Sequence, residues 1–164
     1  MKKAFSLIEL MIVIVIMGAM YTLSVQSFSN TANKLNKVTL LNLKEYMQGQ
    51  DYQKSVRFLC LDDCKSCDIL IDGVKQNTIE NILDDSVLSY IYDFNSGTRE
   101  ALIDVYFNSE GTQEDVCFSY TVDKQGVGDQ VLVVYKNNVY DFTTYLSPTK
   151  KYSSLESAIA AKEK

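Results

Sequence analysis

Three patterns of apolar and polar positions follow one another along the chain, and they divide it. Over residues 10–17 no side chain is polar, and between positions 4 and 23 only Ser6, Glu9, Gly18 and Thr22 interrupt the apolar run. About twenty helical residues at ~1.5 Å each reach roughly 30 Å, the thickness of a hydrocarbon core. This stretch is predicted to be a membrane-spanning helix. From Ser24 to Gln50 the apolar residues thin to a period of three and four: Phe28, Ala32, Leu35, Val38 and Leu41, with Leu43, Tyr46 and Met47 extending that side. Asn30, Asn33, Lys34, Asn36, Lys37, Asn42 and Lys44 fill the rest, so the helix is expected to leave the bilayer and become amphipathic. Gly49 marks its expected end.

Beyond Gly49 the pattern shortens to that of strands. Residues 55–61 and 68–71 read as strands, the second closing on an Asp72–Gly73 turn. Residues 78–83 fit either a short helix or a loop leaning Ile79, Ile82 and Leu83 inward. Strands return at 87–94, 102–107, 116–122, 131–135 and 139–142. Asn137 and Asn138 suit a tight hairpin turn because asparagine tolerates the left-handed conformation. Residues 124–130, with Gly126 and Gly128, form a longer loop, and Ser153 with Glu156 makes a capping-box pattern that starts a last helix through Ala161. The expected fold class is α+β: a long N-terminal helix, half membrane-bound and half amphipathic, packed on an antiparallel β-sheet head domain that ends in a short helix.

Composition narrows the function. Setting aside Lys2, Lys3 and Glu9, the totals of 16 basic and 21 acidic residues leave 14 against 20. Phosphate backbones are bound by lysine and arginine with release of counterions, so an acidic head is not expected to bind nucleic acid directly. Histidine is absent, which removes the commonest general base and zinc ligand. No glycine-rich phosphate loop or nucleophile motif occurs, no convergent pair of carboxylates is placed by the spacing, and no cofactor is expected.

The start of the chain needs a closer reading. A cleavable secretory signal ends in small residues in an A-x-A-like pattern, and Gly18, Ala19, Met20, Tyr21, Thr22, Leu23 match it poorly. A plain anchor, with Lys2 and Lys3 held in the cytoplasm by the positive-inside rule, leaves Glu9 unexplained. A carboxylate at the centre of a membrane helix costs about 2.5 to 3.5 kcal/mol and less near an interface, and such groups have partners. The partner is expected to be a cation.

The run Lys2-Lys3-Ala4-Phe5-Ser6-Leu7-Ile8-Glu9-Leu10 resembles the class III signal of type IV pilins and type II secretion pseudopilins: a short basic leader, a Phe, a Glu four residues later and an apolar run. The resemblance covers residues 1–25 and, more loosely, the helix after them. It implies a cytoplasmic leader over 1–4, cleavage by a prepilin peptidase between Ala4 and Phe5, and N-methylation of Phe5. It further implies a transmembrane and assembly helix over 5–25, the amphipathic helix over 26–50, and a periplasmic head over 51–164. The partners it implies are other pilin or pseudopilin subunits, an inner-membrane assembly platform and the lipid of the inner membrane. Within the filament Glu9 neutralises the Phe5 ammonium of a neighbour. Four helical residues separate the two groups by about 6 Å, so an axial stagger between subunits brings one to the other. Two features depart from the family: Ala4 stands where glycine is usual, and no proline lies near Gln26, so a less bent helix is expected. The expected function is a structural, non-enzymatic one, as a type II secretion pseudopilin; the alternatives are a type IV pilus or DNA-uptake subunit, or an anchored periplasmic thiol or metal-binding protein.

That last alternative rests on Cys60, Cys64, Cys67 and Cys117, an even number in a domain expected outside the cytoplasm. Cys64 and Cys67 share a polar loop and Cys60 and Cys117 lie in predicted strands, which favours the pairs Cys64–Cys67 and Cys60–Cys117. A redox role for the C-x-x-C pair is opposed by Asp62, Asp63 and Asp68, which raise thiol pKa values, with only Lys65 lowering them. Four thiolates could instead bind zinc, with ligand spacing in the C-x-x-C pair, though export to an oxidising compartment counts against it, and Asp62, Asp63, Asp68 and Asp72 invite a calcium reading without the EF-hand pattern.

Overall fold

The computed structural model describes residues 7–8, 10–18, 20, 38–102, 105–145 and 147–163. The chain divides into two compact units, Met1–Lys37 and Val38–Lys164. In the first, residues 7–8, 10–18 and 20 are helical (α1) and every one of them is exposed. Among the described residues no helix is long and apolar enough to cross a membrane. The longest unbroken described stretch of α1, 10–18, reaches about 14 Å at 1.5 Å per residue. The expected boundaries at 4 and 25, and the periodic positions Phe28, Ala32 and Leu35, lie outside the described residues.

The second unit opens differently from the expectation. Residues 38–42 are not helical, and α2 runs only over Leu43–Gln48, ending at Gly49. The Asn42 side chain accepts hydrogen bonds from the Thr39 backbone N–H (2.7 Å) and hydroxyl (3.1 Å), fastening a turn ahead of the helix. That turn changes the phase of the apolar stripe. Leu40, Leu43 and Met47 are buried, whereas Leu41, placed on the core side by a continuous helix, is exposed. Each buried Leu or Met contributes about 1.5–3 kcal/mol by leaving water, enough to hold a six-residue helix that would be marginal alone.

These side chains meet an antiparallel sheet of order β3-β2-β1-β8, in which β1 is Ser55–Leu61, β2 Ser66–Ile71, β3 Val74–Glu80 and β8 Val116–Asp123. Val56, Phe58, Cys60, Ile69, Phe118, Tyr120 and Val122 alternate onto one face of it and form the main core with α2. The β2–β3 hairpin turns at Asp72 and Gly73, both at positive φ, as the sequence predicts. β3 itself was not legible: it is polar and largely exposed, an edge strand without the alternation that marks a half-buried one.

A second antiparallel sheet, of order β11-β10-β9-β4-β5, contains β4 (Leu88–Asp93), β5 (Gly97–Glu100), β9 (Leu132–Tyr135), β10 (Asn138–Asp141) and β11 (Lys150–Tyr152). Val133 and Tyr135 of β9 point into the main core. Leu132, Val134 and Val139 point the other way and are covered by the last helix, α3 (Leu155–Ala160). The β9–β10 turn falls at Lys136 and Asn137, both at positive φ, one residue earlier than expected. The cap of α3 is also one residue displaced: Ser154 caps Ser157 N–H, and Ser157 returns the bond to Ser154 N–H, so the box is Ser-x-x-Ser and not Ser153 with Glu156. Among the described residues of the strand expected over 102–107, Tyr106–Phe107 (β6) form a strand, which pairs with Gln113–Glu114 (β7) in a small hairpin.

Candidate functional site

In α1, Leu7, Ile8, Leu10, Met11, Ile12, Val13, Ile14, Val15, Ile16, Met17 and Met20 are all exposed. Residues 10–18 cover two and a half turns, so the apolar surface runs round every face and is no stripe directed at a core. Soluble monomers rarely leave contiguous apolar patches larger than a few hundred Å² in water. A helix of this kind is completed by lipid or by other helices. Ala4, Phe5 and Glu9 lie outside the described residues.

The sequence of that helix decides the family it resembles. Residues 1–20 match the family model described as the prokaryotic N-terminal methylation motif. The chain carries a class III prepilin signal. It is the signal of type IV pilin-like proteins, and it implies processing by a prepilin peptidase, assembly with other pilin subunits and anchoring through the N-terminal region. Comparison with curated proteins and with solved structures returned no match.

The four cysteines of the second unit form two disulfides, but not the expected pairs. Cys60 is bonded to Cys67 and Cys64 to Cys117. The β1–β2 register is the reason: it sets Cys60 directly opposite Cys67, Cα atoms 4.0 Å apart, and so takes Cys67 away from Cys64. Cys64 sits in the turn between these strands at positive φ, its N–H bonded to Leu61 C=O. The turn is drawn toward β8 by Asp62 N–H donating to Asp115 C=O (3.0 Å). The β1–β8 register slips between Cys60 and Leu61, opposite Phe118 and Val116, so Cys117 occupies a bulge and is re-aimed at the turn. The strand membership of Cys60 and Cys117 was visible in the sequence; that of Cys67, expected in the loop, was not, nor were the register and the bulge.

With every cysteine bonded, three of them fully buried, the C-x-x-C pair is neither a dithiol nor a set of thiolate ligands. Three of the acidic residues around them are engaged in the fold through their carboxylates. Asp63 pairs with Lys65 at 2.5 Å, and Lys65 holds the Asp63 carboxyl below its usual range. Asp68 pairs with Lys75 (2.7 Å) and accepts from the Thr78 hydroxyl (2.7 Å). Asp72 accepts the backbone N–H groups of Gln53, Lys54 and Ser55, which lower its pKa and fasten the β2–β3 turn to the start of β1. Among the described residues no three potential ligands converge on a point that could hold a metal ion.

Two lysines missed by the sequence reading fasten the head. Lys44, assigned to the polar face of a helix, is buried, and its Nζ donates to the carbonyls of Thr144 and Ser147 (3.2 Å to the latter). Burial pulls its pKa down, against the raising influence of Glu45 and Asp141. Lys162, just past α3, reaches buried Asp141 at 2.8 Å and also donates to the Thr143 hydroxyl. Burial alone would push the Asp141 carboxyl up; Lys162 and the hydroxyl and N–H of Thr143 outweigh it and hold the carboxyl low. No local pattern marks either lysine, because the partners lie far away in sequence, at the end of β10 and in the chain that follows it.

Proposed function

We propose that this type IV pilin-like chain is a structural subunit, a pseudopilin of a type II secretion system that joins a short periplasmic filament driving protein export. The observation that carries the reading is the pairing of a methylation motif over residues 1–20 with a helix whose described side chains are apolar and exposed on every side. Cleavage after Ala4 frees the Phe5 amine, and that ammonium is the cation Glu9 requires in an apolar medium. Before cleavage Phe5 offers an amide without charge, so processing acts as the switch that permits assembly. The acidic head supports a protein-export role over a DNA-uptake role, since direct contact with nucleic acid calls for a basic surface. The disulfides leave no thiol chemistry to support the anchored redox or zinc protein.

Mass spectrometry of the chain extracted from membranes tests the first step: a methylated N-terminus at Phe5 is expected, and an intact 1–4 leader refutes it. Glu9→Ala is expected to stop filament assembly while the head keeps both disulfides. Deletion of the gene separates the machines: loss of enzyme export with surface fibres unchanged is the pseudopilin outcome, and loss of surface fibres or of DNA uptake replaces it.

A further inference from the structure

The two disulfides of the head differ in their access to solvent. Cys60, Cys64 and Cys67 are each 0 % exposed, whereas Cys117 is part-exposed. Cys117 also lines a cleft of about 400 Å³, with residues 116–119 of β8 on one wall and β4 and the chain leaving β5 on the other. That volume suits a small organic molecule. Leu88, Ile91, Leu102 and Val131 make part of the lining apolar, while Ser89, Ser119 and Gln130 are polar. Charges of both signs border it: Glu100 and Asp129 line it, Arg99 adjoins Glu100 in β5, and the Arg57 guanidinium donates to Ser119 Oγ (3.2 Å). The cleft therefore selects for neither an anion nor a cation.

The accessible bond is also the one that can open without breaking the sheet. Cys64–Cys117 ties a turn to a bulge: the β1–β8 ladder pairs Cys60 with Phe118 and Leu61 with Val116 and passes over Cys117. Cys60–Cys67, by contrast, joins two residues that face each other within the β1–β2 ladder. The turn has hydrogen bonds of its own, Cys64 N–H to Leu61 C=O and Asp62 N–H to Asp115 C=O. Losing the outer bond removes none of these pairings, so its opening is a local event and not an unfolding of the head.

We propose that Cys117 is a thiol-exchange site: a small neutral thiol entering the cleft attacks Cys117 Sγ and opens Cys64–Cys117, while Cys60–Cys67 stays shut. Exchange depends on which sulfur an attacking thiolate can reach, and Cys117 is the one with an approach. The new bond forms to Cys117 Sγ, the Cys64–Cys117 bond breaks, and Cys64 leaves with the electron pair and then takes a proton. Cys64 leaves into apolar surroundings, which slows the step but does not change the sulfur attacked. With a monothiol the product is a mixed disulfide on Cys117. With a dithiol the second thiol displaces Cys117, so the protein bond is reduced to two thiols and the reagent is oxidised to its own disulfide. The head is then a substrate of thiol exchange with one sealed and one openable closure, a property that does not depend on the subunit reading above.

Exposure of the full-length chain in detergent to 2-mercaptoethanol without denaturant, followed by N-ethylmaleimide and peptide mapping, tests it. The mercaptoethanol adduct is expected on Asp115–Val122, which holds Cys117, and maleimide on Asp63-Cys64-Lys65, with Ser55–Leu61 still joined to Ser66-Cys67. The far-UV circular dichroism spectrum should be unchanged, and Cys60–Cys67 should open more slowly by about tenfold or more, since it must wait for a larger unfolding. An adduct on Cys64, Cys60 or Cys67 overturns the assignment. So does release of all four cysteines together at a rate independent of thiol concentration, which would mean that unfolding and not the cleft admits the reagent. Leu102→Trp, at an exposed position on the cleft wall, is expected to slow the adduct without moving the urea midpoint; an unmoved rate overturns entry by this route.

Discussion

Breaking the two disulfides one at a time gives a graded test of how the head is closed. The bond Cys64–Cys117 spans a sequence separation of 53 and Cys60–Cys67 one of 7. Closing the longer loop removes more freedom from the unfolded chain: about 4 kcal/mol in the chain-entropy treatment, against about 2.5 for the shorter. Cys64→Ala with Cys117→Ala is therefore expected to cost about 1.5 kcal/mol more than Cys60→Ala with Cys67→Ala. Alanine is the right replacement, since Cys60, Cys64 and Cys67 are fully buried and a serine hydroxyl there would have to find a partner. Because Cys64 lies inside the shorter loop, the two closures share chain, and removing both bonds is expected to cost less than the sum.

Urea unfolding of the detergent-extracted chain, followed by far-UV circular dichroism and by the fluorescence of its tyrosines, measures these costs; with no tryptophan present the tyrosine signal is uncontaminated. The pairing can be read independently. Cleavage before aspartate and after lysine cuts at Asp62, Asp63, Asp68 and Lys65, which places Cys60, Cys64 and Cys67 on three separate peptides. The unreduced digest should link the Cys60 peptide to Ser66-Cys67, and Asp63-Cys64-Lys65 to the Cys117 peptide. A Cys64–Cys67 link, or a larger loss from the short-loop pair than from the long-loop pair, refutes the reasoning.

Other perturbations probe separate parts of the head. A Cβ added at Gly128 would lie 1.9 Å from the Tyr120 hydroxyl in the main core, so Gly128→Ala is expected to destabilise by about 1–3 kcal/mol in the same urea assay. Lys162→Met leaves buried Asp141 without its cation and is expected to cost about 3 kcal/mol at pH 7. The Asp84 carboxyl, held to about 2 by the hydroxyl and N–H of Ser86 with support from Tyr135 and Lys136, stabilises the fold above the ordinary carboxylate pKa; that contribution is lost as pH falls from 4 through 2. The urea midpoint should decline over that window, and less steeply in Asp84→Asn.

The sequence carried the element types wherever apolar alternation or turn chemistry is local. Ser55–Leu61, Val116–Asp123 and the Asp72–Gly73 turn were legible because each announces itself within a few residues. What it did not carry was set by contacts between distant segments. β3 is a strand because β2 offers it a ladder beyond a tight turn, and its own residues are polar. The change of phase at 38–42 depends on one asparagine side chain bonding back to Thr39, which exchanged Leu40 for Leu41 in the core. The disulfide pairing needed a register and a bulge, and Lys44 needed carbonyls a hundred residues away. The assembly signal was legible for the opposite reason: all of its chemistry lies within the matched residues 1–20.

This difference in legibility divides the effects of mutation as well. The head has its own core and two covalent closures within Val38–Lys164, so changes there act through stability, and the unfolding assays report them. Among the described residues none of that core's buried positions falls within the first twenty, and changes there should leave unfolding unmoved while abolishing assembly. In the proposed reading Glu9 gives the sharpest case, because there its charge is useful only when an ammonium exists at Phe5. Glu9→Ala and a blocked cleavage site, such as Ala4→Leu, should therefore share one phenotype, unassembled chain with an intact head, and differ in N-terminal mass. Combining them should add nothing, since in that reading each removes one half of the same ion pair. An additive defect would mean that Glu9 acts on something other than the processed terminus.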